Sequence, residues 1–301
     1  MDNPNSDSRR TPKSWEDRFW ESPDGLKLYF RDYEPAECDG SGSRPPIICM
    51  HGLTRNSRDF AGLAEGLSQN WRVLVPEMRG RGLSEYAKDT VTYNPLTYVA
   101  DVEALLEQEG IDNFVAIGTS LGGLMTMLLA AKNPARIAGA ILNDIGPDVD
   151  PKGIDRIREY VGQGRSYPSW IHAARALQEV HSSSYPDFEL EDWLDAAKRG
   201  MVVQQNGRIA YDYDMGIAEP FQDADGASPP DLWPALDALN GKPVLIVRGA
   251  LSDLLSVETL TKMQNRLANV STATVPNVGH APMLDEPIAA RAIDAFLERV
   301  A

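Results

Sequence analysis

Residues 113–132 read NFVAIGTSLGGLMTMLLAAK, and this stretch decides the architecture. Phe114–Ile117 is a short apolar run suited to a buried strand, and the Leu-, Met- and Ala-rich run from Leu121 onward suits a helix. Only Gly118-Thr119-Ser120-Leu121-Gly122 lies at the join. A strand that runs straight into a helix must turn sharply. The turn forces Ser120 into a strained backbone conformation and lifts its hydroxyl above the sheet edge. Gly118 and Gly122 flank it because a Cβ at either position would crowd the turn. The helix start adds unpaired N–H groups and the positive end of its dipole beside that oxygen. A hydroxyl so placed can attack an acyl carbon, and the Leu121 N–H can hold the oxyanion that forms.

Around this stretch, strands alternate with helices. Arg18–Glu21 and Leu26–Tyr33 read as a hairpin about the turn Ser22-Pro23-Asp24-Gly25. Strands follow at Ile47–Met50, Arg72–Val75, Phe114–Ile117 and Ile137–Leu142, with helices near Asp59–Ser68, at Leu96–Glu109 and after Ser120. That order predicts an α/β protein with a mostly parallel sheet and helices on both faces. Ligands then sit beyond the carboxyl ends of the strands. From Gly146-Pro147 to about Ser228 no buried strand stands out. Amphipathic pieces at Lys152–Val161, Ser169–Val180 and Leu190–Arg199 predict a helical insertion over the sheet edge, rich in Tyr and Trp. Alternation resumes with a helix at Asp231–Leu239, strands Val244–Val247 and Ser271–Val275, and helices Val257–Leu267 and Ile288–Val300. The expected organisation is a disordered tail over 1–14, a core over 15–146 and 229–301, and a helical lid over 147–228, inserted after the sixth strand.

Bulk properties exclude several classes. The 301 residues are 43% hydrophobic and 24% charged, ordinary globular values. The 44 acidic against 29 basic residues give −15, which repels nucleic acid and anionic lipid and argues against both as partners. The first residues, MDNPNSDSRRTPKSW, show no apolar core of a signal peptide, and no run is apolar enough to span a bilayer. A cytoplasmic protein is the expectation, with the oligomeric state open, a homo-oligomer included. Of the two cysteines, Cys49 lies in an apolar strand and Cys38 in a polar turn, so no disulfide framework is expected. Histidines are dispersed and cysteines few, so no metal is needed, and no dinucleotide fingerprint implies a cofactor.

A serine hydroxyl needs a base, and there are four histidines: His51, His172, His181 and His280. His280 follows the last strand in a Gly- and Pro-flanked loop suited to presenting one side chain. His172 and His181 fall in the insertion and read as surface or packing residues. The base needs an acid to orient it. Asp253 and Asp144 both follow strands, and both satisfy the chain order serine, acid, histidine. Asp253 is the preferred acid and Asp144 the alternative. A second oxyanion donor is expected from His51-Gly52-Leu53, with the Leu53 N–H facing that of Leu121 and His51 in support. The loop Pro76–Ser84 is Gly-rich and basic but lacks the Walker A pattern, and reads as a tight structural loop.

With these pieces in place the chain resembles the α/β-hydrolase superfamily, in its single-lidded esterase-, lactonase- and C–C-hydrolase-like branch. The resemblance rests on His51-Gly52, Arg79-Gly80-Arg81-Gly82-Leu83-Ser84, Gly118-Thr119-Ser120-Leu121-Gly122-Gly123, Arg248-Gly249 leading to Asp253, and Gly279-His280 before Pro287. It implies the eight-stranded α/β-hydrolase fold. Glu77 stands where many relatives carry Asp, a change with no catalytic consequence. A serine nucleophile, rather than an aspartate, disfavours haloalkane dehalogenase and epoxide hydrolase chemistry. The resulting expectation is a cofactor-independent serine hydrolase using Ser120, Asp253 and His280 on a small to medium carboxylic ester or lactone, a small-molecule acyl substrate. The alternatives are hydrolysis of a C–C bond in a vinylogous diketone acid, anchored by Arg55 or Arg58, and a ligand receptor on the same scaffold.

Overall fold

The structure, a computed structural model, describes residues 14–36, 44–222 and 230–300. Residues 1–13 of the expected tail, Cys38 and the last residues of the expected lid fall outside these ranges. The strands of the main sheet are β1 (Glu16–Glu21), β2 (Lys27–Tyr33), β3 (Ile47–Met50), β4 (Val73–Pro76), β5 (Phe114–Thr119) and β6 (Ile137–Asn143). After the insertion come the last two, β10 (Val244–Gly249) and β11 (Val270–Val275). They form one eight-stranded sheet in the order β1-β2-β4-β3-β5-β6-β10-β11. β2 is antiparallel to β1 and β4, and the pairs from β4 to β11 are parallel. This is the α/β-hydrolase fold, with its mostly parallel sheet and helices on both faces.

The central strands β3, β4 and β5 are apolar and buried along nearly their whole length because both faces are covered. In β3, Ile48 and Met50 join one apolar cluster and Ile47 and Cys49 the other. The same alternation divides Phe114 and Ala116 of β5 from Val115 and Ile117. Helices α2 (Pro95–Gln108) and α3 (Leu121–Lys132) cover the first face, and α1 (Ala61–Leu67) and α10 (Pro287–Leu297) the second. Helices α8 (Trp233–Asp237) and α9 (Val257–Arg266) complete the first layer. Cys49 is a free, fully buried thiol, and burial pushes its pKa upward. No helix among the described residues is long and apolar enough to cross a membrane.

The insertion leaves the sheet after β6 as helices α4 (Pro151–Tyr160), α5 (Trp170–His181), α6 (Leu190–Gly200) and α7 (Ala218–Gln222). It is not purely helical, as the pattern suggested. β7 (Ser166–Tyr167), β8 (Met201–Val203) and β9 (Ile209–Tyr211) form a small antiparallel sheet in the order β7-β9-β8. Two or three residues are too few to show an alternating pattern in sequence. Trp193, Ala173, Leu177 and Ile209 give the insertion its own apolar cluster.

Candidate active site

The turn between β5 and α3 has the strain its sequence demands. Ser120 has φ 53 and ψ −114, a conformation open to few non-glycine residues. Neighbouring glycines permit it. A Cβ on Gly122 would lie 2.0 Å from the Met50 carbonyl oxygen, and one on Gly118 would lie 2.3 Å from the backbone of Gly122. The Ser120 N–H donates to the Asn143 carbonyl at 3.0 Å, which ties the turn to the end of β6.

His280, in the loop after β11, reaches this hydroxyl: its Nε2 is 2.9 Å from Ser120 Oγ. On the other side of the ring, Nδ1 lies 2.8 Å from Asp144 Oδ2. A carboxylate only accepts, so Nδ1 carries the proton and Nε2 is free to accept from the serine. Asp144 is fully buried. The Gly249 N–H donates to its Oδ1 at 2.8 Å and the Ser252 hydroxyl to its Oδ2 at 2.6 Å. Its own N–H is held by the Val247 carbonyl at 2.7 Å, and its φ is 56. The arrangement is a serine–imidazole–carboxylate chain in which each member is fixed by the backbone around it.

The expected acid, Asp253, is not in that chain; the alternative acid, Asp144, stands against His280 in its place. Both of its carboxylate oxygens accept from Arg156 of α4, at 2.5 and 2.8 Å. Burial opposes its charge, but the Arg156 guanidinium outweighs it and lowers the pKa. The reason lies in the loop geometry. β10 stands between β6 and β11 in the sheet, so the ends of β6 and β10 both come near the His280 loop. Asp144 follows β6 directly, whereas four residues after Gly249 the chain has turned toward the insertion, and Ser252, not Asp253, bonds to the Asp144 carboxylate.

The remaining expected residues fall as follows. Leu53 and Ser120 line one cavity, and Leu121 is the first residue of α3, where amides lack intrahelical acceptors. A Cβ on Gly52 would lie 3.8 Å from Ser120 Cβ, so glycine keeps this loop close to the serine. His51 is buried behind the loop. The Met78 N–H donates to its Nε2 at 3.1 Å, leaving Nδ1–H to donate to the Gly52 carbonyl at 2.8 Å. Burial and the charge of Arg81 push its pKa down to about 4, so it is a neutral brace. Arg81 itself donates to the Leu53 carbonyl at 2.9 Å, and Arg79 is clamped by Asp24 and Asp101. The basic loop is therefore structural, as its pattern suggests. Glu77 belongs to the same frame, accepting from Ser57 and from the Leu83 N–H.

The cavity beside Ser120 measures about 160 Å³ and lies under the insertion. That is the size of a void that admits a benzene-sized guest. Tyr160, Tyr185, Trp193 and Tyr211 furnish much of its wall. The Tyr185 hydroxyl also donates to the Ala281 carbonyl at 2.9 Å, beside His280. His172 lies at the surface against Ser169, as expected. His181 does more than pack: it lines the cavity, edge-on to Tyr160. Burial, with Arg156 and Arg55 nearby, pushes its pKa to about 4. No sequence motif marks His181 or Arg156. Only amphipathic periodicity pointed to their helices.

Comparison with known proteins bears on this geometry. The profile of the alpha/beta hydrolase fold family matches residues 45–287. A crystal structure of an alpha/beta hydrolase from Novosphingobium aromaticivorans is 58% identical, with a TM-score of 0.91, covering 96% of this chain and 100% of that one. A 3-hydroxybutyrate-oligomer hydrolase from Cupriavidus necator is 37% identical over 248 residues, 80% of this chain and 84% of the relative. A 2-(acetamidomethylene)succinate hydrolase from Mesorhizobium japonicum is 27% identical over 258 residues, 85% of this chain and 89% of the relative.

Proposed function

This chain belongs to the α/β-hydrolase fold family, and from that premise we propose that it is a serine hydrolase cleaving carboxylic esters through an acyl-enzyme on Ser120. The observation that carries the reading is the unbroken contact from Ser120 through His280 to Asp144. His280 Nε2 takes the hydroxyl proton as Oγ bonds to the ester carbonyl carbon. Asp144 holds the ring in the required tautomer and stabilises the imidazolium. The N–H groups of Leu53 and Leu121 receive the oxyanion. His280 then gives its proton to the departing alkoxide, and water repeats the sequence on the acyl-enzyme. Asp144 takes the role expected of Asp253, which holds Arg156 instead.

The substrate class we favour is a small ester of a short hydroxy acid. The modest cavity and the similarity to a 3-hydroxybutyrate-oligomer hydrolase support it. A lactone of similar size fits the same chemistry. C–C hydrolysis would draw on one feature, the Arg55 cation in the cavity wall. Arg58 supplies no anchor, since it is bound to Asp212 and to the Arg199 carbonyl.

The test is intact-protein mass spectrometry after a fluorophosphonate probe, beside turnover of 4-nitrophenyl acetate and butyrate. The expected result is one adduct, located on Ser120, and ester turnover that falls by at least ~10³ in Ser120→Ala. Absence of the adduct, or unchanged turnover in the variant, overturns the proposal.

A further inference from the structure

The charge beside the cavity is not used by the serine chemistry. Among the described residues that line the cavity, Arg55 is the one Arg or Lys and Asp59 the one carboxylate. Arg55 Nε and Nη2 donate to the two oxygens of Asp59 at 2.6 and 2.5 Å. Its Nη1 has no hydrogen-bond partner among the described residues and packs closely against Gly200, where only a glycine leaves it room. A Cβ on Gly200 would lie 2.7 Å from Arg55 Nη1. The stem of Arg55 also reaches the reacting centre. A Cβ on Gly52 would meet both Arg55 Cγ at 3.4 Å and Ser120 Cβ at 3.8 Å, so the two side chains flank one narrow gap.

Asp59 does not neutralise this region by itself. The charge of Arg199 acts on the same carboxylate. Arg199 Nε is buried without a partner, and Nη2 rests 3.8 Å from Sδ of Met283, another cavity-lining residue. The third guanidinium nearby, Arg58, is matched by Asp212. Two cations thus share one acid, and an anion is the group that completes the set. A guanidinium with two free N–H donors on Nη1 suits a carboxylate oxygen.

We propose that Arg55 anchors a free carboxylate on the substrate, so that short hydroxy-acid oligoesters are bound by their acid end and lose the terminal unit. This rests on the serine-hydrolase reading. Ser120 Oγ bonds to the penultimate carbonyl carbon, and the C–O bond to the terminal unit breaks. Its alkoxide receives the serine proton from His280 Nε2, and the terminal hydroxy acid leaves. In a 3-hydroxy acid ester the terminal carboxylate carbon is four bonds from the attacked carbon, roughly 5 Å when extended. Asp59 holds two of the three guanidinium nitrogens and leaves the third for the substrate.

The test compares the linear dimer of 3-hydroxybutyrate as free acid with its methyl ester. The expected result is a preference for the acid of at least tenfold in kcat/KM, carried by KM, which collapses toward one in Arg55→Met. A wild-type preference below threefold overturns the proposal. So does an Arg55→Met effect of equal size on acid and methyl ester, because that is the mark of a purely structural ion pair. Removing one partner leaves Asp59 unpaired, so the double variant Arg55→Met/Asp59→Leu checks folding, and it must show the same collapse. Calorimetric binding of the acid dimer to Ser120→Ala removes catalysis from the question. Adding Arg55→Met should weaken that binding at least tenfold, and equal binding overturns the anchor. If the fluorophosphonate leaves Ser120 unlabelled, the serine-hydrolase reading fails, while the binding comparison still judges Arg55.

Discussion

Asp144, in a left-handed backbone conformation, is held by four groups: the Val247 carbonyl on its N–H, the Gly249 N–H and Ser252 hydroxyl on its carboxylate, and the His280 ring. Asp253 meets a single guanidinium in the insertion. The proposed roles therefore separate sharply on mutation. Asp144→Asn should lower kcat on 4-nitrophenyl butyrate by up to ~10⁴, the loss seen when a triad acid is neutralised. Asp253→Asn should stay within about tenfold of wild type, and the reverse ranking would return Asp253 to the triad. His51 yields a pH prediction. Its pKa falls from 6.5 to about 4 on folding. Between those values the unfolded chain binds the proton and the native state does not, so stability drops as pH falls through this window. The contribution lost between pH 7 and pH 5 is about 2 kcal/mol. Urea unfolding of His51→Gln at both pH values should show a gap smaller by about that amount.

At the scale of elements, the tight join of β5 to α3 is where sequence and geometry constrain each other most. Gly122 packs against the Met50 carbonyl, Gly123 against Ile145, and Gly118 against the first turn of α3. Gly122→Ala has no open direction in which to relax, since the nearest atoms are backbone. It should cost on the order of 3 kcal/mol or more and abolish probe labelling, measured by thermal unfolding and mass spectrometry. The main strands and helices were legible because each is long enough for its period to show, and because strands covered on both faces read as unbroken apolar runs. β7, β8 and β9 were not legible. They are two or three residues long and owe their pairing to the helices around them, not to an alternating pattern of their own.

In the molecule as a whole, the insertion is tied to the core at separate points. Arg156 bonds to Asp253, Arg58 to Asp212 and the Arg199 carbonyl, Tyr93 to Asp214, and the Gly279 N–H to the Ser184 carbonyl. The ion pairs among these ties are partly exposed and worth about 0–1 kcal/mol, so the insertion is held more by Ile157, Val161, Tyr213 and Ile217, which join the apolar cluster on the first face of the sheet. The sheet, covered on both faces by apolar clusters, is the more stable unit. Native-state hydrogen exchange should therefore show amides of β7–β9 exchanging through smaller openings than those of β3, β5, β6 and β10. Arg156→Leu should speed exchange in α4 several-fold and leave the central strands unchanged. Equal acceleration in the sheet would mean that insertion and core open as one unit.

What the sequence determined by itself was the order of strands and helices, the elbow at Ser120 and the choice of His280. Each depends on local rules: periodicity, glycine at positions with no room for a Cβ, and a short supply of histidines. Only the tertiary structure brings Asp144, and not Asp253, against His280. Both follow strands and both satisfy the serine–acid–histidine order, so nothing local separates them. The difference arises because β10 lies between β6 and β11, and because Arg156, nearly a hundred residues away in sequence, supplies Asp253 with another partner. The same holds for Arg55 and His181. Their place in the cavity wall depends on how the insertion folds back over the sheet, which the sequence of the insertion does not spell out.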